Sequence, residues 1–323
     1  MNILLTGGAG YIGSVVGLFL TDEGHEVTVI DNLITGNDKF IPKKANFLNA
    51  DIADEEKVSI LLKNNKFDLV MHFAGLVNVE ESFKFPNKYN LYNVDKAKLF
   101  FKYCISSGLN KIIFSSTAGV YGNSFKDKVE ENETLNPQSP YSKNKVEIEK
   151  YLLDLSNKKK INCAILRYFN VAGADKKNRA GMMSRNSKNI IKAICEFSLD
   201  KRLNFLVNGN DYSTKDGTPV RDFIHISDLA DIHLVVAKYL KESGKTDIFN
   251  CGYGNGFSIL EVVTEMEKIL NKKLNIKIGK RREGDIPHSV ASSEKFKKKF
   301  NWIPKHNDLN YILKSSLNWE KII

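Results

Sequence analysis

The sequence predicts an α/β protein in which a doubly wound parallel sheet is joined by a smaller α/β lobe. Three observations predict it. Short apolar runs alternate with amphipathic stretches through the first half, a glycine-rich turn separates the first run from the first amphipathic stretch, and the rhythm breaks after about residue 170.

The elements follow in order. Residues 2–5, 26–30, 69–73, 111–115 and 162–167 are apolar runs without alternation, as expected of parallel strands covered on both faces. Residues 11–22, 55–63, 87–107 and 142–155 have helical spacing. This strand–helix alternation is the Rossmann arrangement. Beyond 170 comes a glycine-, asparagine- and charge-rich stretch; regular patterning resumes at 223–242 and 247–251, and a last helical segment starts at 258. The expected organisation is a nucleotide-binding domain of 1–170 plus about 223–251, and a second lobe of about 171–222 plus 252–323. No repeat or low-complexity tract interrupts it.

Composition narrows the class. A chain of 323 residues with 27% charged and 42% hydrophobic residues can bury a full core. The net charge of +10 would suit an anionic partner, but the lysines are scattered, without aromatic interleaving or a nucleic-acid module, and read as a solvated surface. Neither nucleic acid nor membrane is expected as a partner. Cys104, Cys163, Cys195 and Cys251 stand far apart, with no CxxC or zinc spacing, so they read as core residues of a reducing compartment, and no metal is expected. Met1 leads straight into a strand with no basic leader, and no apolar run approaches the ~20 residues of a membrane span. Cytoplasmic location is the expectation.

Gly8, Gly10 and Gly13 satisfy G-x-G-x-x-G at the end of the first strand, with Gly7 alongside. Glycine there allows a tight turn, backbone approach to a pyrophosphate and close helix–strand packing. The pyrophosphate would rest on the helix N-terminus at Tyr11 and Ile12, where free N–H groups and the helix dipole favour negative charge. Asp31 ends the second strand, where a carboxylate accepts both ribose hydroxyls and repels a 2′-phosphate; Asn32 beside it supplies no positive charge. NAD is therefore expected over NADP. Asp51 and Ile52 could hold the adenine, and small residues in Phe73-Ala74-Gly75 could let backbone approach the cofactor.

Tyr141 and Lys145 lie four apart at the start of a helix opened by Pro140, so they share a face. A lysine ammonium and a cationic nicotinamide would favour the phenolate, drawing its pKa down from about 10. The phenolate could then take a hydroxyl proton as NAD takes the hydride. Thr117, at the end of Ser115-Ser116-Thr117, would hydrogen-bond the same oxygen.

On these residues the chain resembles the UDP-glucose (UDP-galactose) 4-epimerase family of the extended short-chain dehydrogenase/reductases. The resemblance runs through the glycine turn, Asp31-Asn32-Leu33, His72-Phe73-Ala74-Gly75, residues 137–145, Arg167-Tyr168-Phe169-Asn170, Gly209-Asn210-Asp211-Tyr212, residues 220–225 and Arg281-Arg282-Glu283-Gly284-Asp285. It implies 4-epimerisation of UDP-hexoses through a transient 4-keto sugar, with Thr117, Tyr141 and Lys145 catalytic. It also implies NAD contacts from Asn93, Ser115 and Phe169. By the same resemblance Asn170, Asn189, Arg221, Arg282 and Asp285 would hold the diphosphate, Leu206, Val207 and Asn208 would flank the uracil, and Ser289 would gate C2. A small residue at the gate implies that UDP-N-acetylglucosamine and UDP-N-acetylgalactosamine are accepted beside the plain hexoses. Helices 87–107 and 142–155 are the pair through which relatives form a homodimer.

Two departures stand out. Phe85 replaces the lysine expected before Pro86, and Asn189-Ile190-Ile191-Lys192 departs from the usual run ending in proline. Rival readings are a uronic acid epimerase or decarboxylase, a plain dehydrogenase and a non-catalytic NAD-binding scaffold. A dehydratase would need an Asp-Glu pair after the strand-end threonine, where this chain has Ala118-Gly119.

Overall fold

The computed structural model describes residues 1–123, 126–183, 189–242, 244–281 and 286–323. In chain order the elements are β1 (Asn2–Thr6), α1 (Tyr11–Asp22), β2 (Glu26–Asp31), β3 (Asn46–Asn49), α2 (Glu55–Asn64), β4 (Leu69–His72), α3 (Val79–Lys84), α4 (Pro86–Asn90), α5 (Lys96–Ser106), β5 (Lys111–Thr117), α6 (Pro140–Asn157), β6 (Asn162–Tyr168) and β7 (Asn170–Ala172). There follow α7 (Ile190–Ser198), β8 (Leu206–Asn208), β9 (Val220–His225), α8 (Ile226–Glu242), β10 (Asp247–Cys251), β11 (Gly256–Ser258), α9 (Ile259–Leu270), β12 (Lys277–Gly279), β13 (His288–Ser289), α10 (Glu294–Phe300) and α11 (Leu309–Ile322).

A seven-stranded parallel sheet runs β10-β6-β5-β4-β1-β2-β3. Its order turns back between β1 and β4, and such a reversal opens a crevice at the carboxyl ends of the strands. Leu4, Val70, Ile112 and Ile165 of the sheet join Val58, Phe100, Phe101, Ile148 and Leu152 of α2, α5 and α6 in one buried cluster. On the other face α1 packs close, since a Cβ on its Gly17 would meet Leu5 at 3.2 Å.

The chain divides into two compact units. The first comprises Met1–Val120, Leu135–Arg167 and Ala230–Phe249; the second comprises Tyr121–Thr134, Tyr168–Leu229 and Asn250–Ile323. The middle segment thus enters the first unit at Ala230 rather than at 223, and Tyr121–Thr134 falls in the second. In the second unit β9 pairs with β7, β11 and β13, while β8 pairs with β12.

The stretch expected as one helix over 87–107 has three parts: α4, a π turn at Leu91–Asp95, and α5. Ser139 caps α6 by accepting the Ser142 N–H at 3.1 Å, and Pro140 fills the first turn, where no N–H is needed.

Candidate active site

The glycine turn in the first unit is held by its own packing. Gly7 has φ +71°, and a Cβ there would lie 2.5 Å from the Ala74 nitrogen; a Cβ on Gly13 would lie 2.4 Å from the Gly7 carbonyl oxygen. Side chains are excluded by backbone at both positions. Gly10 caps α1 without a side-chain acceptor, and the first turn at Tyr11 and Ile12 carries no acidic residue. Unshielded N–H groups and a positive helix end fit a pyrophosphate.

Asp31 braces this turn. Its Oδ2 accepts the Ala9 N–H at 3.0 Å and its Oδ1 the Leu33 N–H at 2.8 Å. A carboxylate with two oxygens and about four acceptor sites still has capacity for ribose hydroxyls. Asn32 donates to Asp51 Oδ2 at 3.0 Å, and Lys96, which the sequence reading missed, reaches the same oxygen at 2.6 Å. Burial pushes the Asp51 pKa up, but the hydrogen bonds from Lys96, Ala53 and Asn32 outweigh it and hold the carboxyl below the usual range. Ile52 is buried beside it. Nothing in sequence spacing links Lys96 to Asp51, since the contact joins the end of a strand to a distant helix.

The strand-end loop Phe73-Ala74-Gly75 is tied to both neighbours. Phe73 and Ala74 donate their N–H groups to the Thr6 carbonyl and hydroxyl, at 2.9 and 3.4 Å. Asn93, in the π turn, accepts the Leu76 N–H at 2.7 Å and donates to the Leu76 carbonyl at 2.9 Å. Its buried amide therefore clamps the loop after Gly75. Ser115 donates to the His72 carbonyl at 2.8 Å, joining β5 to β4.

The chemical residues meet where β5 ends and α6 begins. Thr117 Oγ1 accepts the Gly119 N–H at 3.1 Å. Lys145 Nζ donates to the Ser115 carbonyl at 2.7 Å and lies 5.8 Å from the centre of the Tyr141 ring.

Burial pushes the Tyr141 phenol up to about 12, opposed by the Thr117 hydrogen bond. Burial pushes the Lys145 ammonium down to about 8, opposed by Glu149. Desolvation dominates both groups. Gly119 also has a local reason to lack a side chain: a Cβ there would lie 2.6 Å from Ser142 Oγ.

The remaining expected residues lie in the second unit. Phe169 is buried and donates its N–H to the Cys251 carbonyl at 3.1 Å, and Asn170 opens β7 opposite Phe223. Asn189 caps α7, accepting the Ile191 and Lys192 N–H groups at 3.0 and 3.2 Å and donating to the Val171 carbonyl at 3.2 Å. Leu206, Val207 and Asn208 form β8; Leu206 is exposed and Val207 buried. Arg221 on β9 stands in register with Ser289 on β13. Arg282 and Asp285 lie outside the described residues.

Sequence reasoning missed the group that organises this strand pair. The buried Asp222 carboxylate accepts the N–H groups of Tyr253 at 2.9 Å, Gly254 at 2.8 Å and Ala291 at 3.1 Å, pinning β9 to the segments after β10 and β13. Burial raises its pKa to about 6 against those bonds. An Asp next to a candidate ligand arginine reads in sequence as its ion-pair partner. Here the carboxylate is instead taken up by backbone donors.

Comparison with known proteins adds the family context. Residues 3–252 match the NAD dependent epimerase/dehydratase family. The UDP-glucose 4-epimerase of Azospirillum brasilense is 38% identical over 320 residues, covering 99% of this chain and 92% of the relative. Among solved structures, the UDP-glucose-4-epimerase from Stenotrophomonas maltophila with bound NAD and formylated UDP-arabinopyranose superposes with a TM-score of 0.96 at 31% identity, covering 100% of this chain and 98% of that one. The UDP-Glc/GlcNAc 4-epimerase from Campylobacter jejuni gives a TM-score of 0.86 at 37% identity, covering 100% and 99%.

Proposed function

The chain belongs to the NAD dependent epimerase/dehydratase family and, within it, to the UDP-glucose 4-epimerases, and from that premise we propose that it inverts C4 of UDP-hexoses with Tyr141 as the group that removes and restores the C4 hydroxyl proton. The observation that carries this assignment is the seating of Lys145 Nζ on the Ser115 carbonyl at 2.7 Å, 5.8 Å from the centre of the Tyr141 ring on the same helix face at the end of β5. The first unit is the NAD-binding domain on this reading and the second the UDP-sugar lobe.

The residues present fit NAD: the uncapped α1 terminus takes the pyrophosphate, Asp31 the ribose, and Asp51 with Ile52 the adenine. When bound, NAD accepts a hydride from C4 and returns it, so no net oxidation accumulates. The chain supplies the proton chemistry. Tyr141 Oη takes the hydroxyl proton as the C4–H bond breaks, and gives it back when the sugar is reduced on its other face. Thr117 steadies that oxygen by donating to it. Lys145 supplies positive charge close to the ring, and the cationic nicotinamide adds to it, which together offset the upward pull of burial on the phenol.

The sugar has to turn between the two transfers, so binding energy should fall on the UDP rather than the hexose. Asn170, Asn189 and Arg221 serve the diphosphate on this reading, with Arg282 and Asp285 assigned by motif. A guanidinium pairs bidentately with phosphate oxygens. Leu206, Val207 and Asn208 flank the uracil.

Ser289, small and in register with Arg221, leaves room for an acetamido group at C2. UDP-galactose and UDP-N-acetylgalactosamine offered side by side to the purified enzyme should both yield their gluco epimers. Turnover of the plain hexose alone would remove Ser289 as a permissive gate. A homodimer through α4–α5 and α6 is supported by exposed Leu91 and Leu99 on that surface. A cytoplasmic setting is supported by Cys104, Cys163, Cys195 and Cys251, which are buried thiols outside any disulfide.

A further inference from the structure

Three elements meet at a group that the mechanism above does not use. Glu149 lies on α6 one turn beyond Lys145 and is almost wholly buried. Its Oε1 accepts the Ser116 hydroxyl from β5 and Arg167 Nε from β6 at 3.1 Å; its Oε2 accepts Arg167 Nη2 at 2.6 Å. The two charged side chains are 1% and 3% exposed. An ion pair this dry is a weak source of net stability, because desolvation offsets its attraction, but its fork geometry holds one orientation.

Its position on β5 is telling. Ser116 stands between Ser115, whose carbonyl receives Lys145 Nζ at 2.7 Å, and Thr117, assigned above to the chemical site. The groups acting on Lys145 are Tyr141 and Glu149 from its own helix, the Ser115 carbonyl from β5 and His72 from β4, with Arg167 of β6 reaching it through Glu149. Burial and Lys145 together push His72 down to about 3, so it carries no charge near neutrality. Glu149 is the anion acting on Lys145.

We propose that Ser116, Glu149 and Arg167 form a positioning unit for the reaction, locking α6 to β5 in the register that seats Lys145 on Ser115 and brings the Tyr141 ring beside it, with the Glu149 carboxylate one helical turn from Lys145. The proposal rests on the roles given to Tyr141 and Lys145 above. None of the three residues is asked to touch sugar or cofactor; they act through Lys145 and Tyr141.

The test uses NAD-loaded Glu149→Gln and Ser116→Ala proteins. Glu149→Gln removes the charge at nearly constant shape, and kcat with UDP-galactose should fall about 10- to 100-fold while KM stays within roughly twofold. The Lys145 titration, followed by nuclear magnetic resonance of ε-carbon-labelled lysine and assigned with Lys145→Met, should move to lower pH, and the pH at which the kcat profile levels off should move with it. Ser116→Ala keeps both charges, so it should lower kcat several-fold and leave the lysine midpoint in place.

An unchanged kcat and an unchanged midpoint in Glu149→Gln would overturn the proposal. Should that variant fail to fold, wild-type kcat in Ser116→Ala would overturn it alone. The lysine midpoint needs no turnover, so a wild-type protein that fails to epimerise overturns the function while the midpoint still decides the positioning role.

Discussion

At the scale of single residues, the chemistry reduces to two groups that burial pushes in opposite directions. The Tyr141 phenol is pushed up to about 12 and the Lys145 ammonium down to about 8. The active form needs the phenol ionised and the lysine protonated. With the phenol titrating above the lysine, the active fraction rises with pH up to the lysine pKa and is level above it, so kcat measured across the alkaline range should rise and then flatten near pH 8. Tyr141→Phe should lose about 100- to 10,000-fold in kcat, with NAD still bound at wild-type stoichiometry. Turnover near wild type would remove Tyr141 from the role of base. The neighbourhood of Tyr141 and Lys145 was legible in the sequence because a spacing of four puts both on one helix face. Lys96, Glu149 and Asp222 were not, because each acts through a partner distant in the chain.

Elements explain why the turn and the strand ends hold still. Gly13 lets α1 close onto the turn, and Ala at that position would press a methyl against the Gly7 carbonyl. Gly13→Ala should lower stability by about 1–3 kcal/mol and reduce bound NAD, read by thermal unfolding and by nucleotide released on denaturation. Unchanged stability with full NAD content would contradict this account of the glycine. The sheet strands β1, β2, β4, β5 and β6 fall within a residue or two of the apolar runs that announce them. The π turn at Leu91–Asp95 did not announce itself, since apolar periodicity does not register one widened turn inside a long helix. Neither did β11, β12 and β13, whose two or three residues owe their strand state to pairing partners far off in sequence.

For the whole molecule, the surface of α4, the π turn and α5 carries two exposed leucines. Leu91 and Leu99 are 46% and 38% exposed there, and Lys98 of α5 reaches Glu147 of α6 at 2.5 Å, holding the two helices side by side. Sedimentation equilibrium should give twice the mass of the chain, and Leu91→Glu with Leu99→Glu should return it to the monomer with the sheet intact. A monomeric wild type at micromolar concentration would rule out this pairing. The central claim, that one chain both removes and restores the same hydrogen at C4, is tested most directly with UDP-galactose carrying deuterium at C4. The account predicts UDP-glucose that keeps the label at C4 with no accumulation of NADH. Loss of the deuterium to solvent, or a dehydrated or oxidised sugar as the end product, would contradict it.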